Sequence, residues 1–254
     1  MSKSYPILEF DPDRIAIVNP QPTKLTGPAP IRGVLCFFWE VLEKLAAEGS
    51  LVKIGQLRSE IGFNPLYLLD FQSEKILVMH PGVGAPLSAA FLEECIQMGT
   101  RKYIVCGGCG VLDGDIQAGH PVVLTGAVRD EGTSYHYLPP GRVVEASPEA
   151  IAAIENTLQL QGVEYLKGLT WTTDGIFRET AAKREQRLQE GCLVVEMEAA
   201  ALFAVAAYRN VVLGQVVYGG DLVMPEKWDR RGWDKRFDDR TNLFWLAVEA
   251  CCRI

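Results

Sequence analysis

Residues 194–206 read Val194-Val-Glu-Met-Glu-Ala-Ala-Ala-Leu-Phe-Ala-Val-Ala206, in which a short apolar strand precedes an alanine-rich helix. Glu196 and Glu198 stand at the junction of the two elements. The alanines predict close packing on several sides, and a carboxylate buried there is costly unless it accepts hydrogen bonds. A carboxylate at such a position can accept two hydroxyl protons from a ligand. The dipole at a helix N-terminus explains one of the two glutamates but not both. Glu198 is therefore the candidate ligand contact, and either role suits Glu196.

Strands and helices alternate on both sides of this stretch. Apolar runs predict strands at 15–18, 66–71, 75–80, 103–106, 121–124, 164–171, 193–195 and 211–218. Helical spacing and stop signals predict helices at 33–49, 87–98, 179–190, 197–208 and 242–253, and another that begins at Pro148. No change in composition and no Ser- or Gly-rich linker interrupts the chain. The pattern predicts an α/β fold in a single domain over residues 1–254.

The composition excludes several classes of protein. The chain is 48% apolar and 22% charged, with a net charge of −7 and no long block of either sign. This balance argues against nonspecific binding to nucleic acid or to an anionic membrane, yet a small anionic substrate needs only one local pocket of donors. Seven cysteines, mostly inside apolar runs, are typical of a reducing compartment. With no signal peptide and no apolar run near ~18 residues, we expect a cytoplasmic protein without a membrane span.

Common catalytic motifs are missing from the sequence. It has no G-x-G-x-x-G that opens a helix after a strand, no G-x-x-x-x-G-K-[ST] and no G-x-S-x-G. These absences argue against a nicotinamide cofactor, an NTPase and a serine hydrolase. Cys106-Gly-Gly-Cys109 has the spacing of a redox or metal pair, but no second pair follows and the three histidines are scattered. We therefore interpret these cysteines as buried thiols and expect neither a metal nor an organic cofactor.

The stretch Val-Glu-Met-Glu-Ala-Ala-Ala at 195–201 resembles the signature of the nucleoside phosphorylase superfamily, which includes uridine phosphorylase, hexameric purine nucleoside phosphorylase and related nucleosidases. Other motifs are similar to the family's in the same order along the chain, namely Ala16–Pro22 (first strand and phosphate loop), Gly82–Pro86 (Gly-rich turn), Gly107–Gly110, Gly132–His136 and Thr173–Phe177. The resemblance implies a three-layer fold with a central mixed, twisted sheet flanked by helices. It also implies a homo-oligomer, either a hexamer or a trimer.

The activity that the resemblance implies is cleavage of the N-glycosidic bond of a nucleoside by phosphate, which gives free base and pentose 1-phosphate. In the family, the glutamate that matches Glu198 holds the ribose 2′ and 3′ hydroxyls, and the methionine that matches Met197 packs against the sugar. Glu196 joins them as a substrate-binding candidate. A fixed carboxylate beside the sugar also stabilises the positive charge that develops in an oxocarbenium-like transition state.

The base half of the site falls to 173–177 and Asp221. The family usually has an aromatic residue where Ile176 stands, so stacking on the base either falls to Phe177 or is weaker here. Asp221 matches an aspartate that protonates the leaving base in purine-cleaving relatives, and a desolvated carboxyl suits a general acid. The residues with which uridine phosphorylases read the pyrimidine are replaced by Thr180 and Ala182. The identity of the base stays open.

The phosphate half departs from the family pattern. Val105 stands where phosphorolytic members have an arginine, and Gly108 where they have Ser or Thr. The Pro-Gly-Asp-Pro loop is altered to Asn19-Pro-Gln-Pro22, which leaves Lys24 where an arginine is common. The remaining candidate phosphate ligands are Lys24 and the backbone amides of Gly107, Gly108, Cys109 and Gly110. Loss of a bidentate arginine weakens phosphate recognition.

Two alternatives to a phosphorylase stay open. One is a nucleosidase, in which water replaces phosphate, and the other is a catalytically weak nucleoside-binding protein of the same fold. The segment 227–240 has no counterpart that we can map in the family. It is either a structural segment or subunit contact, or a lid that brings Arg230 or Arg231 toward an anion. Arg32 and Arg58 are candidates for a further arginine that a neighbouring subunit supplies in the family.

Overall fold

The computed structural model describes residues 5–21 and 23–254. Its strands are β1 (Arg32–Cys36), β2 (Leu51–Ser59), β3 (Gly62–Phe71), β4 (Glu74–Met79), β5 (Lys102–Val111), β6 (Pro121–Asp130), β7 (Val143–Glu145), β8 (Leu166–Thr173), β9 (Cys192–Glu196), β10 (Val212–Val223) and β11 (Trp228–Asp229). Its α-helices are α1 (Trp39–Ala47), α2 (Ala85–Met98), α3 (Pro148–Leu160), α4 (Ala181–Gln189), α5 (Ala199–Arg209) and α6 (Phe237–Cys251). This alternation confirms the predicted α/β fold.

Five strands of the mixed sheet close into a ring. β5 pairs with β10, β10 with β6, β6 with β8, β8 with β9, and β9 again with β5. The edge of β5 that does not face β10 is shared by two strands, because β1 pairs with residues 102–106 and β9 with Gly110 and Val111. From β1 the sheet continues through β4, β3 and β2. The pairing of Gly110 with Val195 places the end of β5 beside Glu196, the last residue of β9.

Two apolar cores on opposite faces of the sheet explain the layers. Val34 and Leu35 are successive buried residues of β1, and they enter different cores because side chains alternate along a strand. The core that contains Leu35 is covered by α2 and α5, and the core that contains Val34 by α1, α3 and α6. The result is the predicted arrangement of a central sheet between helical layers. Across residues 5–21 and 23–254, every helix is too short or too polar to span a lipid bilayer.

The beginning of the chain differs from its prediction. Residues 15–18 form no strand, and Ile15, Ile17 and Val18 are exposed. The first strand is instead β1, within the region predicted as a helix over 33–49, of which only Trp39–Ala47 is helical. A run of consecutive buried apolar residues fits a central parallel strand as well as a helix. Pro22, the last residue of the predicted phosphate loop, lies outside the described residues.

Candidate functional site

The strand-to-helix junction from β9 to α5 is built around Glu196. Its Oε2 accepts hydrogen bonds from the backbone N–H groups of Glu198 at 2.8 Å and Ala199 at 2.6 Å, at the start of α5. Its Oε1 accepts from the hydroxyls of Thr172 at 2.5 Å and Thr170 at 3.3 Å, both on β8. Glu196 is 92% buried, and these four donors compensate its desolvation. It thus caps α5, and its contact with a substrate stays a prediction.

Glu198 is held from a different direction. Its Oε1 accepts the backbone N–H of Gly84, the residue before α2, at 2.6 Å. Gly84 has φ +91°, a conformation that residues with a side chain rarely adopt. Burial, and then the negative charge of Glu196, raise the pKa of Glu198 to about 8, although the N–H groups of Gly84 and Met197 oppose the shift. The Glu198 carboxyl is therefore fixed, desolvated and poised to ionise near neutral pH.

Further acidic residues lie near this junction. Asp174, next after β8, accepts the N–H of Gly132 at 2.8 Å, and its charge contributes to the raised pKa of Glu198. Glu131 is buried with one oxygen bonded to the N–H of Ser134 and the other without a hydrogen-bond partner among the described residues. Burial raises the pKa of Glu131 as well. Several carboxyl groups thus converge where a group that develops positive charge would be stabilised.

The predicted base-stacking residues lie on the surface. Ile176 and Phe177 form a 3-10 turn after β8, and Phe177 is 94% exposed. Met197 lies at the junction and is half-buried. Met197 thus lies beside Glu198, whereas the side chain of Phe177 is almost fully exposed. The stacking role of Phe177 stays a prediction.

A β-bulge in β10 aims the side chain of Asp221. Between Gly219 and Leu222, β10 has one residue more than the facing stretch of β5. Such an extra residue bends the strand and redirects its side chains. The Oδ2 atom of Asp221 lies 3.7 Å from the position that a Cβ on Gly110 would take, at the end of β5, and accepts the indole N–H of Trp228 at 2.6 Å. Asp221 is thus fixed beside β5 and β9.

Glu179 is a second acidic group near Asp221 that the sequence did not reveal. Burial raises its pKa to about 7, and the negative charge of Asp221 adds to the shift. In the sequence it appears as the start of a charged helix, and such positions are usually solvated. The signal that could have found it is its place six residues after Thr173, where β8 ends.

Residues 107–110, the glycine-rich stretch whose amides are candidate phosphate ligands, do not form a turn, because they belong to the last part of β5. Residues 107–109 pair with residues 217–219 of β10, and Gly110 also pairs with Val195 of β9, so this stretch is an extended strand and not a loop that wraps an anion. The ring of Phe37 covers Gly107, since a Cβ there would lie 3.1 Å from Cδ2 of Phe37. The His80 ring follows at 5.6 Å from Phe37 and 6.0 Å from Trp39. Aromatic groups therefore stand beside the strand on which phosphate was expected.

Lys24 is not brought to this strand. It is exposed, and its backbone oxygen lies 3.3 Å from the position of a Cβ on Gly55, in β2. In the sheet β2 is four strands away from β5, or roughly 19 Å at the usual spacing.

Val105 is fully buried between the layers. Arg32 pairs with Glu74 at 3.0 Å within the chain.

Cys106 and Cys109 belong to opposite cores, because they are three positions apart along a strand and side chains alternate between its faces. Burial raises the pKa of both thiols. Within residues 5–21 and 23–254, no group of three or more His, Cys, Asp or Glu side chains is arranged to hold a metal ion. The spacing of these two cysteines therefore reflects core packing.

The segment 227–240 folds back over the end of β10. Arg231 donates to the carbonyl oxygens of Gly220 at 3.2 Å and Ile116 at 2.8 Å, and Arg230 lies 3.5 Å from Asp234. The backbone oxygen of Trp233 accepts the hydroxyl of Tyr218 at 3.0 Å. The guanidinium of Arg231 thus binds backbone carbonyls, which fits the structural interpretation of this segment better than the lid.

Comparison with known proteins identifies the family. The family described as "Phosphorylase superfamily" matches residues 31–242. A uridine phosphorylase from Treponema pallidum is 30% identical over 188 residues, covering 69% of this chain and 71% of that protein. A guanosine phosphorylase from Halorubrum lacusprofundi is 29% identical over 158 residues, or 60% of this chain and 64% of that protein. The chain thus spans just under two thirds of the length of that guanosine phosphorylase.

Solved structures share the fold. A purine nucleoside phosphorylase from Toxoplasma gondii in complex with immucillin-H superimposes with a TM-score of 0.75 at 20% identity, covering 88% of this chain and 91% of that one. An AMP nucleosidase from Bacteroides thetaiotaomicron has a TM-score of 0.68 at 21% identity, covering 87% and 86%. The family match spans most of the chain and includes the β9–α5 junction and Asp221. The chain therefore belongs to the phosphorylase superfamily.

Proposed function

We propose that this chain is a pentosyltransferase that cleaves the N-glycosidic bond of a nucleoside with phosphate, releasing free base and pentose 1-phosphate. The observation that carries the proposal is the Glu198 carboxyl, fixed by the Gly84 N–H and desolvated at the β9–α5 junction. Relatives over most of the chain are named uridine and guanosine phosphorylases. A buried carboxylate with a fixed orientation suits the recognition of a vicinal diol, because each of two hydroxyls can donate to it.

In this mechanism Glu198 binds the ribose hydroxyls and Met197 packs against the sugar. As the bond from C1′ to the base nitrogen breaks, the electron pair of that bond passes to the base. Positive charge then develops on the sugar ring. The nearby carboxylates stabilise that charge. For a purine, Asp221 gives a proton to the leaving base. An oxygen of phosphate then bonds to C1′, and no metal or organic cofactor takes part.

The second candidate is a nucleosidase, in which water attacks C1′ in place of phosphate. Two features of β5 favour the nucleosidase. Val105 is buried, and the Phe37 ring covers Gly107. Neither group binds an anion, and Lys24 lies beside β2. A phosphorylase built on this chain therefore needs positively charged phosphate ligands from elsewhere. We propose that a neighbouring subunit of a homo-oligomer, a hexamer or trimer, supplies them in the cytoplasm.

A panel of nucleosides assayed with and without phosphate separates the candidates. Guanosine, adenosine, inosine, uridine and thymidine are incubated with purified protein, and base, pentose and pentose 1-phosphate are quantified. A phosphorylase gives pentose 1-phosphate only when phosphate is present. Free pentose released at an equal rate without phosphate would establish the nucleosidase. Saturable nucleoside binding with no cleavage of any member would contradict both and leave a binding protein.

A further inference from the structure

Asp221 accepts a hydrogen bond from Trp228, a residue of a segment outside the β9–α5 junction. After β10 the chain turns and forms β11, which pairs antiparallel with the end of β10 through Leu222 with Asp229 and Val223 with Trp228. This pairing returns the Trp228 indole to the level of Asp221. The distance from Nε1 of Trp228 to Oδ2 of Asp221 is 2.6 Å, short for an N–H···O hydrogen bond.

The segment 224–235, which we call the strap, makes further contacts with the bulge on the C-terminal side of β11. Beyond β11, Arg231 donates to the carbonyl oxygen of Gly220, the residue before Asp221. A Cβ on Gly220 would lie 3.3 Å from the side chain of Trp233 and 3.0 Å from the carbonyl oxygen of Cys109. The strap therefore packs on the bulge itself. Trp228 stays 57% exposed, so its ring contributes little buried area to the fold.

We propose that Trp228 is a positioning residue for Asp221, which rests on the function proposed above and commits the site to purine nucleosides. An indole N–H can only donate. When it occupies Oδ2, a proton on Asp221 must sit on Oδ1. The hydrogen bond therefore fixes the rotamer of the carboxyl and leaves its acidic oxygen for the base. Positioning of this kind matters because small misplacements of a proton donor lower the rate steeply.

The step that depends on Trp228 is the transfer of a proton to the leaving purine. The bond from C1′ to N9 breaks, its electron pair passes into the purine ring, and the Oδ1 proton of Asp221 moves to N7. The base leaves neutral, and the Asp221 carboxylate takes up a proton from solvent before the next turnover. A 7-methylated purine already carries a positive charge on its imidazole ring, so it leaves neutral without that proton.

The test compares guanosine with 7-methylguanosine in the presence of phosphate. Trp228→Phe removes the N–H and keeps an aromatic ring. We expect kcat/KM on guanosine to fall about tenfold and kcat/KM on 7-methylguanosine to change less than about twofold. Asp221→Asn should lose about 100-fold on guanosine alone, and Trp228→Phe should add no further loss in that background. The control is Trp245→Phe. It removes an indole of α6 that packs on Phe71 of β3 and on Phe244.

Three other results would contradict the proposed role of Trp228. Equal losses on both substrates, or losses that multiply in the double variant, would show that the strap has a structural role and would overturn the inference. A wild-type protein that cleaves uridine but neither purine nucleoside would also overturn it while leaving the proposed function intact. A wild-type protein inactive on all three nucleosides would overturn the proposed function, and this inference with it.

Discussion

Oε1 of Glu198 lies 2.6 Å from the backbone nitrogen of Gly84, and this contact joins the starts of two helices, α5 and α2. Glu198 is the residue before α5, and Gly84 the residue before α2. Helix N-termini favour negative charge because their first N–H groups have no partner within the helix. The candidate sugar-binding carboxyl is thus held by the fold from two directions, through its own helix and through the Gly84 turn.

Gly84→Ala should disturb this contact without filling any space. A Cβ on Gly84 meets nothing within 4 Å, but φ of +91° is unfavourable for alanine. We expect a loss of about 1–3 kcal/mol in the free energy of unfolding, measured by urea denaturation, with a fall in kcat/KM for the nucleoside. Gly27→Ala is the control, since its Cβ also meets open space at an ordinary φ. Equal stability of the two variants would contradict the account of Gly84.

The pH dependence of activity should report the ionisation of Glu198. Only the carboxylate form of Glu198 can accept hydrogen bonds equally from both ribose hydroxyls, and the pKa of Glu198 in the free protein is about 8. We therefore expect kcat/KM to rise between pH 6 and about pH 8. In Glu198→Gln the remaining activity should lack this rise. A wild-type profile that is flat from pH 6 to 8 would contradict the assignment.

The stability of the protein should depend on Glu179. Its pKa is raised from 4.5 to about 7 in the folded state, so the folded protein holds the proton more tightly than the unfolded chain. The free energy of unfolding therefore decreases as pH rises from about 4.5 to about 7. Glu179→Gln removes this decrease, and we expect its Tm at pH 8 to exceed that of the wild type by ~2–4 °C. Glu185→Gln, on the exposed side of α4, is the control, and an equal gain there would contradict the assignment.

The end of β5 should tolerate no side chain at Gly110. A Cβ there would lie 2.9 Å from Cγ1 of Val195 and 3.1 Å from Cγ2 of Val223, so a valine side chain or its strand must shift. We expect Gly110→Ala to cost about 1–3 kcal/mol of unfolding free energy and to lower kcat/KM, because Asp221 is the next neighbour at 3.7 Å. Gly114→Ala, whose Cβ would meet open space, is the control for the substitution. Unchanged kcat/KM and stability in Gly110→Ala would contradict this packing.

The sequence predicts the parts of the site that are local in the chain. The β9–α5 junction could be predicted because two carboxylates within three residues, between a strand and an alanine-rich helix, have few structural explanations. The hairpin of β3 and β4 could be predicted for a similar reason, since two short apolar runs, at 66–71 and 75–80, are separated only by Gln72-Ser-Glu74.

Long-range features could not be predicted in this way. The run at Ile15–Val18 has the composition of a strand, but no neighbouring strand pairs with it, whereas Val34 and Leu35 gain partners in both β4 and β5. The bond from Trp228 to Asp221 depends on a turn after β10 and on the bulge within it. Phe37 and Gly107, which pack against each other, are 70 positions apart in the chain. Such contacts follow from the register of the sheet, which composition does not specify.

The role of Glu198 is tested most directly by kcat/KM of Glu198→Gln on the nucleoside of the panel that the wild-type protein cleaves best. Glutamine keeps the size of the side chain and can still accept the Gly84 N–H, but it cannot supply a negative charge or accept equally from two hydroxyls. We predict a loss of about 100- to 1,000-fold with an intact fold, while Glu48→Gln at the exposed end of α1 stays at the wild-type value. A Glu198→Gln protein within twofold of wild type would contradict the account.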